Sequence, residues 1–230
     1  MPIDSTAKIA GPGFASYNAA AYRTFFTYCK TNNCVPDITT WHELDGSLYN
    51  DWYTRYNNYR QIEIDLGIGK HEIFINEYAR SSGDLGVPGN LIQYISRFET
   101  SKVYGSLALW TGVGDLNDLV ANNKTSQSVP GISLNLPTGA WYLYHWYGQM
   151  TGNTVGVTLP STNGSLRALA SKSGNTVKVL FGGSNPASAV YDMTIKVSGV
   201  SGGTATISVT RSDQIALSRM FRDIPFRSTL

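Results

Sequence analysis

Three short stretches hold the side chains best suited to chemistry. Trp41, His42 and Glu43 close the run DITTWHE, and Asn76, Glu77 and Tyr78 close IFINEY. Trp110 closes SLALW, with Asp115, Asn117 and Asp118 following it. Each cluster ends an apolar or β-branched run. Carboxylates and an imidazole are the groups of acid–base and nucleophilic catalysis. Indole rings beside them suit the apolar face of a sugar. Such groups form a site only if the runs that carry them end at one place.

The elements that would bring them together are legible. AKIA, residues 7–10, is a short apolar piece stopped by Gly-Pro-Gly. YNAAAYRTFFTYCKTNNC places Ala20, Tyr22, Phe25, Phe26 and Cys29 at helical spacing behind a capping Asn18. VPDITTWHEL reads as a strand. SLYNDWYTRYNNYRQIEIDLGIG reads as an amphipathic helix closing on Gly67. HEIFINEYA is the next strand, PGNLIQYISRFETSKV a helix with Pro88 near its start, and YGSLALWTG a further strand. A polar loop over about 112–138 and the aromatic helix GAWYLYHWYGQMTG follow. Strand and helix alternate four times, which predicts parallel strands joined by crossover helices. Their apolar cores fit strands covered on both faces. After Gly152 the segments LRALASKSG, TVKVLFGG, VYDMTIKVSG and TATISVTRS are short and rich in Val, Ile and Thr, predicting an antiparallel region.

Composition narrows the classes. The chain has 230 residues, 42% of them hydrophobic and 15% charged, enough for a substantial core. A net charge of +2 without a basic cluster argues against nucleic acid as a partner. No run approaches the ~20 apolar residues of a membrane span, and the first fourteen residues do not read as a secretory signal. Cys29 and Cys34 lack metal-site spacing; free thiols and a disulfide both remain open. Asp115 and Asp118 read as loop carboxylates, and neither metal nor cofactor is expected. Asn123 and Asn163 begin glycosylation acceptors that matter only in a secreted chain.

Taken in order, these motifs resemble the second half of a clan A glycoside hydrolase, nearest to family 39. In that family strand 5 ends in Gly-Pro, here AGPGF, and strand 6 near an aromatic-flanked His, here TTWHEL. Strand 7 carries a nucleophilic Glu beside an aromatic residue, here NEYA, and strand 8 ends in Trp, here ALWTG. The resemblance implies an α/β fold, the C-terminal half (strands 5–8) of a (β/α)8 barrel, followed by a small antiparallel β-sandwich. Residues 1–152 would be the barrel part, 153–213 the accessory domain and 214–230 an irregular tail. Strand ends of such a barrel meet on one face, which hosts the active site.

The resemblance further implies a retaining glycosidase with Glu77 as nucleophile. His42 and Tyr78 would hold that carboxylate or the sugar, and Asn76 would bind substrate beside them. Trp41 and Glu43 would contact sugar hydroxyls, and Trp110 would be a stacking floor. Strands 1 to 4, with the acid/base of strand 4, have no counterpart in this sequence, so the chain reads as a fragment of low turnover. The partner is an oligosaccharide or polysaccharide, the parent enzyme is expected to be secreted, and the oligomeric state is open. A plainer reading is a catalytically inactive carbohydrate-binding or structural remnant. Residue by residue, Glu77 also reads as a capping or salt-bridged carboxylate at a strand end, His42 as a hydrogen-bonded structural histidine, Glu43 as a solvated loop carboxylate and Trp110 as core.

Overall fold

A computed structural model of the chain describes residues 4, 6–80, 83–84, 86–108, 119–121, 136–161, 164–183, 194–199 and 206–210. Its elements are β1 (Ala10–Phe14), α1 (Ala19–Thr31), β2 (Ile38–Glu43), α2 (Leu48–Leu66), β3 (Glu72–Tyr78), α3 (Pro88–Ser101) and β4 (Tyr104–Leu107). There follow β5 (Val120–Ala121), β6 (Leu136–Pro137), α4 (Gly139–Gly148), β7 (Asn153–Val155), β8 (Leu166–Ser173) and β9 (Thr176–Gly183).

β1 to β4 form one sheet in sequence order, every pair parallel. Sequential parallel strands with right-handed crossovers send each connecting helix to the same side. The packing agrees. Trp41 of β2 meets Tyr22 of α1 and Trp52 and Tyr59 of α2, while Tyr78 of β3 meets Tyr94 and Phe98 of α3. Side chains alternate along a strand, so Thr39, Trp41 and Glu43 face the helices and Thr40 and His42 face the other way. The row Pro12, Thr40, Phe74 and Tyr104 runs across that second face.

Local chemistry sets the helix ends. Asn18 accepts the Ala21 N–H at 3.0 Å and so caps α1. Gly67, at φ 60°, closes α2 where a side chain would be strained. Pro88 opens α3, where a missing N–H costs nothing.

Two expectations need correction. The first strand is Ala10–Phe14 rather than residues 7–10, and it contains the Gly-Pro-Gly read as a breaker. β1 pairs only with β2 among the described residues, and such an edge tolerates proline because the missing N–H has no partner to lose. In the last third the expected antiparallel region is present as β7, β8 and β9, which pack on α3 with Leu169 and Leu180 in the same core as the helices, but it is shorter than expected. The described residues of the two later Val/Ile/Thr-rich segments, 194–199 and 206–210, carry no strand.

Candidate active site at the strand ends

All three parallel ladders shift register near their C-terminal ends, between Pro12 and Phe14, between Trp41 and His42, and between Ile75 and Tyr78. On β3 the extra residue is Asn76. Ile75 stands opposite Trp41, yet Glu77 stands opposite His42. Without that bulge Glu77 would sit one position further along and point to the helices; bulges re-aim side chains in this way.

The result is a compact polar group. His42 Nε2 lies 3.9 Å from Glu77 Oε2, and the Glu77 side chain is 44% exposed. His42 Nδ1 is 2.8 Å from the Phe14 carbonyl oxygen. A carbonyl only accepts, so Nδ1 carries the proton and Nε2 is the ring atom turned to Glu77. Gly13, at φ 71°, brings β1 backbone close: a Cβ there would lie 3.5 Å from the Asn76 carboxamide nitrogen and 3.8 Å from Thr40 Oγ1. His42, Asn76 and Glu77 thus share the face away from the helices.

Trp41 and Glu43 do not join them. Trp41 is fully buried among Tyr17, Tyr22, Trp52 and Tyr59. Its Nε1–H donates to Glu43 Oε1 at 2.7 Å, and Arg55 of α2 donates to Glu43 Oε2 at 2.6 Å. Glu43, 1% exposed, is therefore an internal ion-pair partner facing α2. Burial pushes its carboxyl up to about 7, with Arg55 and Trp41 working against that rise. The expectation that these two residues touch sugar hydroxyls is corrected: the period-two alternation of β2 turns both inward. Tyr78 is likewise buried against Tyr94 and Phe98, with its hydroxyl 2.7 Å from that of Tyr144, so it too faces the helices rather than Glu77. Trp110, Asp115, Asn117 and Asp118 lie outside the described residues.

Supporting residues emerge that sequence reading missed. Ala79 follows β3 at φ 90°, an unfavourable conformation for alanine, while its N–H donates to the Glu43 carbonyl at 3.1 Å. Arg80 then clasps Asp84 through Nε and Nη2 at 2.9 and 2.6 Å. Asp84 also accepts from the Arg80 N–H and the Tyr94 hydroxyl. Burial works against the Asp84 carboxylate, but these donors, Arg80 foremost, hold it below the ordinary range. This clasp fixes the loop just beyond Glu77. Nothing in the local sequence signals it, since i,i+4 spacing has meaning only on a helix. Among the described residues no three His, Cys, Asp or Glu side chains cluster as metal ligands would.

Relatives give these positions a context. No family model matches the chain. It is 36% identical over 194 residues to the 3-O-α-D-galactosyl-α-L-arabinofuranosidase of Bifidobacterium longum subsp. longum, covering 82% of this chain and 16% of that enzyme. It is 33% identical over 193 residues to the 3-O-β-L-arabinopyranosyl-α-L-arabinofuranosidase of Bifidobacterium pseudocatenulatum, covering 82% and 18%. The chain thus spans less than a fifth of the length of these curated relatives. Among solved structures it resembles N2152 from Neocallimastix frontalis, with 35% identity and a TM-score of 0.68, over 80% of this chain and 44% of that one.

Proposed function

From homologues that are glycoside hydrolases, we propose that this chain is the nucleophile-bearing part of a retaining glycosidase built on a (β/α)8 barrel. The observation that carries the proposal is Glu77, turned by the Asn76 bulge in β3 to stand opposite His42 at the end of a parallel sheet. Glu77 attacks the anomeric carbon, and the glycosidic oxygen leaves with a proton from a second carboxylic acid about 5–5.5 Å away. Water, activated by that second group, then releases the sugar. His42 keeps Nε2 toward Glu77 because its other nitrogen is committed to Phe14, and Asn76 offers a carboxamide to a sugar hydroxyl. Trp110 remains the proposed stacking floor.

The proposed substrate is an α-L-arabinofuranoside bearing a further sugar, by analogy with the two bifidobacterial enzymes. The second carboxylic acid is not Glu43, whose side chain faces α2. Among the described residues the face shared by His42 and Glu77 offers no other carboxylate beside them. We therefore expect slow turnover from this chain, because general acid catalysis contributes about 10²–10⁴-fold. Hydrolysis of an unactivated arabinofuranoside at a rate typical of whole enzymes, about 1–10³ per second, and insensitive to Glu77→Gln, would refute both assignments. The same absence of a partner acid supports a second reading, a sugar-binding remnant. That reading requires saturable sugar binding by calorimetry, unchanged in Glu77→Gln and without turnover of an activated substrate.

A further inference from the structure

The interval between Cys29 and Cys34 is that of a helix-terminating motif. Asn32 caps α1 and Asn33 follows at φ 53°, in the left-handed region. The Asn33 N–H points to the Lys30 carbonyl at 3.4 Å, and the Cys34 N–H donates to the Cys29 carbonyl at 2.9 Å. These nested bonds are the Schellman arrangement. Its usual companion is an apolar contact between the residue three before the cap and the second residue after it. Here both positions are cysteine. Cys29 is buried and Cys34 exposed, both are free thiols, and burial together with the neighbouring Cys34 holds the Cys29 thiol above its ordinary range.

We propose that Cys29 and Cys34 are a disulfide-forming pair, closed by a low-molecular-weight disulfide, that staples the end of α1 to the segment entering β2. The backbone motif places the two cysteines at the positions whose side chains it ordinarily brings together, and the Cys34 N–H is already bonded to the Cys29 carbonyl at 2.9 Å. The segment so fixed includes Asp37, whose carboxylate accepts the Ile9 N–H at 2.8 Å beside β1. The staple would thus hold α1 against the start of two adjacent strands.

The reaction balances with oxidised glutathione as oxidant. The exposed Cys34 thiol loses its proton, attacks one glutathione sulfur and expels the other glutathione as a thiolate. Cys29 then gives its proton to solvent and attacks the Cys34 sulfur. The mixed disulfide breaks and the second glutathione leaves as a thiolate. Two protein thiols are oxidised, one glutathione disulfide is reduced, and both departing thiolates take up the released protons.

The test is to incubate the purified chain with oxidised glutathione, alkylate remaining thiols and read the intact mass and peptide map. The proposal expects a mass lower by two hydrogens, no label on either cysteine, and melting about 5 °C above the reduced chain, a shift lost in Cys34→Ser. A stable glutathione adduct on Cys34, a Cys34-linked dimer, two labelled cysteines in a chain folded by circular dichroism, or a bridged chain that melts no higher would each overturn it.

Discussion

Two buried carboxyl groups near the strand ends respond to pH in opposite directions. Glu43 has its folded-state value raised from 4.5 to about 7, chiefly by burial. The folded chain then binds that proton more tightly than the unfolded chain. Its stabilising effect is whole below about pH 4.5 and gone once pH passes about 7. Thermal melts from pH 4.5 to 7 should therefore fall more for the native chain than for Glu43→Gln. Asp84 is held below its ordinary 3.8: burial, the largest single influence, raises it, but Arg80 and Tyr94 together outweigh burial. Its contribution is whole above about pH 3.8 and is lost as pH falls further. Asp84→Asn should flatten the acid limb and cost about 3 kcal/mol at neutral pH, since a buried carboxylate with five donors, the Tyr49 hydroxyl among them, is lost; equal acid limbs in variant and native chain would contradict the clasp. At this scale the sequence was only partly readable. Glu77 and His42 stand together as their motif positions suggest, but Trp41, Glu43 and Tyr78, their immediate neighbours, face the helices. A motif names residues in a row, whereas a strand sends alternate ones to opposite faces, and a bulge such as that at Asn76 leaves no mark in composition.

At the scale of elements, α1 depends on its cap and β4 on close approach. Asn18→Ala should lower stability by about 1 kcal/mol, and Asn18→Asp should restore most of it. Gly105 is more demanding. A Cβ there would meet Phe98 at 3.0 Å and Tyr78 at 3.2 Å, so Gly105→Ala must displace one ring or the strand. We expect a loss of about 1–3 kcal/mol from such overpacking, measured by urea unfolding; an unchanged midpoint would mean that β4 does not press on α3. Elements of this kind were the most legible part of the chain. The helical spacing of Tyr22, Phe26 and Cys29, the glycine stop at 67 and the proline at 88 all specify local structure through local physics. β1 was misplaced because Gly-Pro-Gly reads as a turn when the neighbouring strand is unknown.

Across the whole molecule, the four-stranded parallel sheet turns its helices to one side and its polar strand ends to a shared edge. Parallel sheets are ordinarily covered on both faces. Tyr104 on the second face is 64% exposed. In the bifidobacterial relatives the matched region is a small part of a longer polypeptide. The barrel proposed above would cover this face. Strand–helix alternation made the parallel order legible.

The central claim is that Glu77 is a nucleophile, and the most direct measurement is a covalent trap. An arabinofuranoside with a dinitrophenyl leaving group needs no protonation, so the first step can proceed without the acid/base while the second is slow. The chain should gain the mass of one arabinosyl group, mapped by peptide sequencing to Glu77, and Glu77→Gln should gain none. A folded chain that gains no mass while binding the sugar, or carries the adduct on another residue, would contradict the account.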